Sequence, residues 1–278
     1  MIAKWISAGN GDLLYFDRFS ERLLPLGRAD DKPPEKVYKY RPIDKNTISS
    51  LIQNELYFAT QQQLNDPHDG GISLDISGTD EEWATFLRNS LRIIQAGLPW
   101  DAAEQFIAKD EHKNSAFRSK VYSSVTQFCR EVGVCCFSEA RDNTLMFAHY
   151  ADGHRGVCLE FSTEKRNDAE FFGGLSAVQY IDEPKPVKFV SELPAMFLTK
   201  SASWSYERDW RALNDKGTLT YNYHPASLTG VIFGCKTSEE DKLLIRRIVG
   251  KTNQVQFYQA IKLPNTYSLE IKEISNNK

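Results

Sequence analysis

The sequence predicts an α+β fold, and three observations carry that reading. Residues 37–60 and 134–161 each read as strand, short helix, strand; residues 79–130 carry helical rather than strand periodicity; and the segments after 161 return to short strand patterns. The expected organisation is an N-terminal extension and linker over residues 1–35, then a single α+β domain over residues 36–278 with a helical insertion at about 79–130.

Along the extension, Leu13 to Phe16 suits a short strand or a helical turn. Gly27 to Glu35 (GRADDKPPE) is polar, carries Pro33-Pro34 and reads as linker. Val37 to Tyr40 (VYKY) is a strand signal ended by Pro42. Asp44 can cap a helix in which Thr47, Ile48, Leu51 and Ile52 fall at helical spacing, Asn54 is a plausible stop, and Leu56 to Thr60 (LYFAT) reads as the next strand. Gln61 to Gly71 is crowded with turn formers and reads as a loop. Asn65, Asp66, His68 and Asp69 lie close together there, which invites a metal-site reading. An Asx turn braced by Pro67 is favoured over it, because oxygen-ligand metal sites usually draw on several separated segments.

In the insertion, Trp83, Phe86, Leu87, Leu91 and Ile94, then Ala102 to Phe117, then Val121 to Phe128, suggest three helices. The densest stretch follows. Val134 to Phe137 is an apolar, β-prone run that ends at Ser138 and Glu139, and Asp142 or Asn143 can cap a helix running to about Tyr150. That helix places Leu145, Met146, His149 and Tyr150 on one face, and Gly156 to Phe161 (GVCLEF) reads as a second strand. Further on, Ala177 to Ile181 reads as strand and Glu192 to Lys200 as helix. Trp204 to Leu213 (WSYERDWRAL) alternates between an aromatic face and a charged, solvated face holding Glu207, Asp209 and Arg211. Gly230 to Gly234 suits a buried strand, Glu239 to Val249 an amphipathic helix capped by Ser238, and Val255 to Ala260 and Tyr267 to Ile274 closing strands.

Composition narrows the function classes. With 41% hydrophobic residues in 278 the chain can bury a real core, and a net charge of −3 gives no bulk reason to expect nucleic-acid binding. Five cysteines, an odd number with four inside or beside apolar runs, read as reduced core residues, and no paired Cys/His zinc spacing occurs. No signal peptide and no run of about eighteen apolar residues is present, so a cytoplasmic protein with no membrane partner is expected. No P-loop, GxGxxG, internal repeat or low-complexity tract is found.

The set VYKYRP, LYFAT followed by NDPHD, FSEARDNTLMFAHYADGHRGVCLEF, KSASWSYERDWRAL and GVIFGCKTSEED resembles the DUF2971 family of bacterial proteins of unknown function, over roughly residues 37–274. The order of the motifs also resembles the ADP-ribosyltransferase superfamily. That second resemblance implies a split, twisted β core, NAD as the substrate, an unknown protein or nucleic-acid acceptor, and an association with bacterial toxins and phage-defence effectors. It also implies site residues: Tyr38 or Lys39 at a first motif on the ribose, Ser138 and Tyr150 at a second near nicotinamide, and Glu207 at a third, with Glu207 and Ser138 as the catalytic pair. The sequence departs from the superfamily in having no His on the first strand, and in Asp209 rather than Glu two residues from Glu207.

The chemistry behind such an assignment is specific. Breaking the nicotinamide–ribose bond creates an oxocarbenium-like centre, so a carboxylate that holds a ribose hydroxyl and favours positive charge is what the transition state needs. Arg155, at the turn before a strand, offers a bidentate phosphate contact, and His149 a further cofactor-side contact. Two alternatives belong to other classes: a metal-dependent nuclease or hydrolase using Asp66, His68, Asp69 and His149, and a non-catalytic ligand-binding module. The transferase reading requires Tyr38, Ser138 and Glu207, on three separated strands, to open onto one cleft, with Ser138 exposed at its strand end.

Overall fold

The computed structural model describes residues 5–7, 12–17, 22–28, 33–71, 73–94, 99, 101–164, 175–188, 193–214, 216–250 and 255–275. The chain opens with an antiparallel three-stranded sheet of β1 (Trp5–Ser7), β2 (Asp12–Asp17) and β3 (Arg22–Arg28), with β2 in the middle. Leu13 to Phe16 thus belongs to a strand. The expected linker is shorter than Gly27 to Glu35, since Gly27 and Arg28 still pair with β2, and residues 29–32 lie outside the described part.

β4 (Lys36–Arg41) leads into α1 (Lys45–Gln53), whose free N-terminus is closed by the Asp44 carboxylate accepting from the Thr47 N–H at 2.8 Å. Asn54 adopts φ 55°, the left-handed stop that asparagine tolerates, and turns the chain into β5 (Glu55–Phe58). After the 61–71 loop come β6 (Leu74–Asp75) and three helices, α2 (Asp80–Ile94), α3 (Ala102–Ala108) and α4 (Ser115–Glu131). The helix expected over Ala102 to Phe117 is two helices. Asp110 takes φ 56°, and Asn114 then caps α4 by accepting from the N–H groups of Ala116 and Phe117 at 2.8 and 3.2 Å. Apolar spacing runs on through this point, but a local cap and a left-handed residue outweigh it. Trp83, Leu87, Val121 and Val125 bury together as this block's core, against Val134 and Leu213 of the strands that follow.

β7 (Gly133–Ser138), α5 (Thr144–Tyr150) and β8 (Val157–Ser162) form the central unit. Asn143 caps α5, accepting from the Leu145 and Met146 N–H groups at 2.9 and 3.1 Å. β9 (Ser176–Ala177), β10 (Gln179–Ile181), β11 (Val187–Lys188), α6 (Leu193–Leu198) and β12 (Thr199–Ser201) follow. The expected alternating strand from Trp204 does not form. Ala202–Glu207 is a 3-10 helix started by the Ser201 hydroxyl and ended by Arg208 at φ 49°, and only then does β13 (Asp209–Asn214) begin. β14 (Leu219–Asn222), β15 (Leu228–Phe233), α7 (Glu239–Val249), β16 (Gln256–Lys262) and β17 (Leu269–Glu273) complete the chain.

The result is a mixed α/β architecture around one large mixed sheet, in the order β17-β16-β15-β8-β4-β7-β13-β9. Every neighbouring pair is antiparallel except β15 with β16. β4 is the pivot. It pairs with β8 over six residues, yet meets β7 only at Tyr38 opposite Ser138. β7 is bridged instead at its other end by Ala59, just after β5, through paired backbone bonds of 2.9 and 2.7 Å with Val134. Side chains serve the backbone groups in the gap: the Lys39 ammonium donates to the Cys136 carbonyl at 2.8 Å, and the Tyr40 hydroxyl to the Ala140 carbonyl at 2.7 Å.

Candidate functional site

Where β4 and β7 part, a cavity of about 260 Å³ opens. Tyr38, Lys39 and Arg41 of β4 line one wall and Gln63 and Asn65 of the 61–71 loop another, with Ser138, Tyr150, Lys200 and Glu207 also on its surface. The cavity lies where the β4–β7 ladder stops.

Beneath it lies a cluster of buried charge. The Glu207 carboxylate accepts from the Tyr150 hydroxyl at 2.5 Å on one oxygen and from the Lys200 ammonium on the other. Lys200 also lies 3.5 Å from both Asp69 and Asp209. The Arg211 guanidinium holds Asp69 with two bonds of 2.8 and 2.6 Å, reaches Asp209 at 3.3 Å and donates to the Phe197 carbonyl at 2.7 Å. Asp69, Lys200, Glu207, Asp209 and Arg211 are all buried, Arg211 completely. Three carboxylates therefore share two cations. That leaves one negative charge in excess among buried groups, where it is costly.

The electrostatics follow. Burial, then the neighbouring Asp209 carboxylate, push the Glu207 proton affinity above the ordinary carboxylate range, against the opposing pull of Lys200. Burial works against the charge on Lys200 more than any other single influence, yet Asp209, Glu207 and Asp69 together outweigh it and hold the ammonium above its usual range. Burial and the bond to Glu207 likewise raise Tyr150, so its phenol stays protonated and donates. Cys136 also lines the cavity, but burial lifts its thiol to about 12, which keeps the nucleophilic thiolate scarce.

Glu207, Ser138, Tyr38, Lys39 and Tyr150 all line this one cavity. Two of them sit differently from expectation. Glu207 ends a 3-10 turn rather than lying along a strand, and Ser138 is fully buried, not exposed. The Ser138 hydroxyl donates to the Glu207 carbonyl at 2.6 Å and accepts from the Ala140 N–H at 3.0 Å, so it fixes the backbone that carries Glu207. Tyr38 is largely buried, and burial followed by the Glu160 carboxylate raises its phenol to about 12. His149 is exposed and faces Trp204 and Tyr206 with ring centroids 6.4 and 6.3 Å away. Arg155 is exposed, forms a two-bond pair with Asp152 at 2.9 and 2.8 Å, and does not line this cavity.

The 61–71 loop is a scaffold. Asp66 accepts from the His68 N–H at 2.8 Å, which is the expected Asx turn, and that turn presents Asp69 to Arg211. His68 itself is exposed. Among the described residues no group of three or more His, Cys, Asp or Glu side chains is placed to hold a metal ion. Asn65, from the same loop, donates to the Tyr150 hydroxyl at 2.9 Å and so reaches Glu207 through one intermediary.

The face of β13 read as solvated is buried, and Lys200 was given no role. Their partners lie too far away in sequence for alternation to reveal: Asp69 is 142 residues before Arg211. The one available signal was a lysine closing the apolar run Met196 to Leu198, a costly place for an ammonium without a carboxylate nearby.

No helix among the described residues is long and apolar enough to cross a membrane. No curated protein and no solved structure matches the chain significantly. Residues 146–212 carry Tyr150, Lys200, Glu207, Asp209 and Arg211, though neither β4 nor Asp69, and it is over these residues that the chain matches the model of DUF2971, a family of proteins of unknown function.

Proposed function

We propose that the cavity binds NAD as a substrate and cleaves its nicotinamide–ribose bond, passing ADP-ribose to water or to a protein or nucleic-acid acceptor. The observation that carries this reading is Glu207: a buried carboxylate of raised proton affinity, oriented by Tyr150 and Lys200, on the surface of a cavity whose wall carries Lys39 and Arg41. As the bond breaks, its electron pair moves onto the nicotinamide nitrogen and leaves an oxocarbenium-like ribose. A carboxylate that accepts a ribose hydroxyl stabilises that charge more than it stabilises the substrate. The acceptor supplies a lone pair to the ribose carbon and releases a proton, which a carboxylate of raised proton affinity is suited to take. Lys39 and Arg41 offer cations to the diphosphate. Ser138 is a positioning residue that acts through the Glu207 backbone.

One observation favours a second reading, a ligand-binding module without turnover: both oxygens of Glu207 already have protein partners. The discriminating experiment is release of nicotinamide from NAD by purified protein, followed by chromatography. Wild type should release it, and Glu207→Gln, with an unchanged circular dichroism spectrum, should be slower by about 100-fold or more. Binding of NAD without cleavage by wild type would leave the module reading in place, and equal rates in the two proteins would remove Glu207 from the chemistry.

A further inference from the structure

A second cavity, of about 380 Å³, adjoins the first, and Lys39, Arg41 and Tyr57 line both. Its remaining surface includes Asn46, Ser49 and Ser50 of α1, which fall three and four residues apart and so share one helix face, and Glu55 at the start of β5. The charged groups here have no oppositely charged partner among the described residues, whereas each of those beneath the first cavity has at least one. Arg41 donates through Nε to the Thr47 hydroxyl at 3.2 Å, while its two terminal nitrogens have no partner among the described residues. The Glu55 carboxylate likewise has no partner among them. Lys39 donates to the Cys136 carbonyl, lies 3.4 Å from the Cys135 sulfur and sits 5.1 Å from the Phe137 ring centroid, and its ammonium meets no carboxylate among the described residues.

Size points the same way. Small-molecule sites span roughly 300–1,000 Å³. The first cavity alone falls short of that range, the second lies near its lower end, and the two together lie well within it.

We infer that one ligand occupies both cavities: two lobes joined by a diphosphate held between Lys39 and Arg41, the second lobe being a nucleoside whose free ribose diol is taken by Glu55. This rests on the NAD reading of the first cavity and assigns the other half of the molecule. A guanidinium with two free terminal nitrogens matches phosphate oxygens in pairs. A carboxylate without donors accepts from two adjacent hydroxyls, and it repels a phosphate attached to the same ribose. The site therefore selects a dinucleotide diphosphate with an unmodified second ribose.

Titration calorimetry with ADP, nicotinamide mononucleotide, ADP-ribose and 2′-phosphorylated ADP-ribose tests this. Asn46 is exposed on α1, so Asn46→Trp fills the second cavity without disturbing the core. It should weaken ADP at least tenfold and leave nicotinamide mononucleotide within twofold. Arg41→Ala should weaken ADP similarly, and Glu55→Gln should reduce the wild-type preference for ADP-ribose over its 2′-phosphorylated form at least fivefold. ADP that fails to bind wild type, or binds Asn46→Trp equally well, overturns the inference even if NAD is cleaved. ADP binding with these sensitivities, in a protein that never releases nicotinamide, upholds the second cavity and removes the glycosidic reading of the first.

Discussion

The two sides of β4 solve the same problem in different ways. Towards β8 the strand is paired over all six residues, and beyond β8 the next strand buries Val231, Ile232 and Phe233 completely. Towards β7 it is paired once, and beyond β7 the next strand buries the charged Asp209 and Arg211. A backbone satisfied by its ladder leaves side chains free to be apolar on both faces. A backbone that parts from its neighbour needs polar side chains to complete it, and a cavity opens in the gap. Apolar burial marks the first side, and buried charge beside a cavity marks the second.

The comparison predicts unequal responses to substitution. Arg211→Met should have the largest effect, because Asp69 and Asp209 would then share Lys200 alone and the Phe197 carbonyl would lose its donor. A loss of about 3–5 kcal/mol in urea unfolding is expected. A loss below about 1 kcal/mol would mean that the cluster is not held by charge compensation.

Next comes the pH response. A carboxyl whose proton affinity is higher in the folded state than in the unfolded state favours folding fully below its unfolded value of 4.5, and that contribution is lost as pH rises through the folded value. Glu207→Gln removes this dependence. Relative to wild type, the variant should therefore gain stability progressively as pH is raised from 4.5, in urea unfolding repeated across a pH series. A constant difference would show that Glu207 does not carry the excess charge.

On the other side of β4, Ile232→Val should cost about 0.5–1.5 kcal/mol, with no pH dependence and no effect on NAD binding. Arg155→Ala should be smallest, within about 0.5 kcal/mol, because its pair with Asp152 is exposed on both sides. A measurable fall in NAD affinity in Arg155→Ala would bring that turn back into the site.

The elements whose boundaries are set by neighbouring residues were legible in the amino-acid sequence. Asp44, Asn143 and Ser238 cap the helices they precede, Asn54 stops α1, and Asp66 closes its Asx turn, each through a contact spanning a few residues. Tyr38, Lys39, Ser138, Tyr150 and Glu207 are named together by the resemblance of the motif order to a known superfamily rather than by local signals, and the structure lines one cavity with all five. Tertiary structure alone decided that β4 leaves β7 after one pair, that Ser138 faces inward onto the Glu207 carbonyl, and that the charged face of β13 is buried around Lys200 and Asp69. A charged residue alternating with aromatic ones is equally consistent with solvent or with a buried partner. What distinguishes the two is whether distant segments deliver the opposite charge, and that depends on the assembled chain.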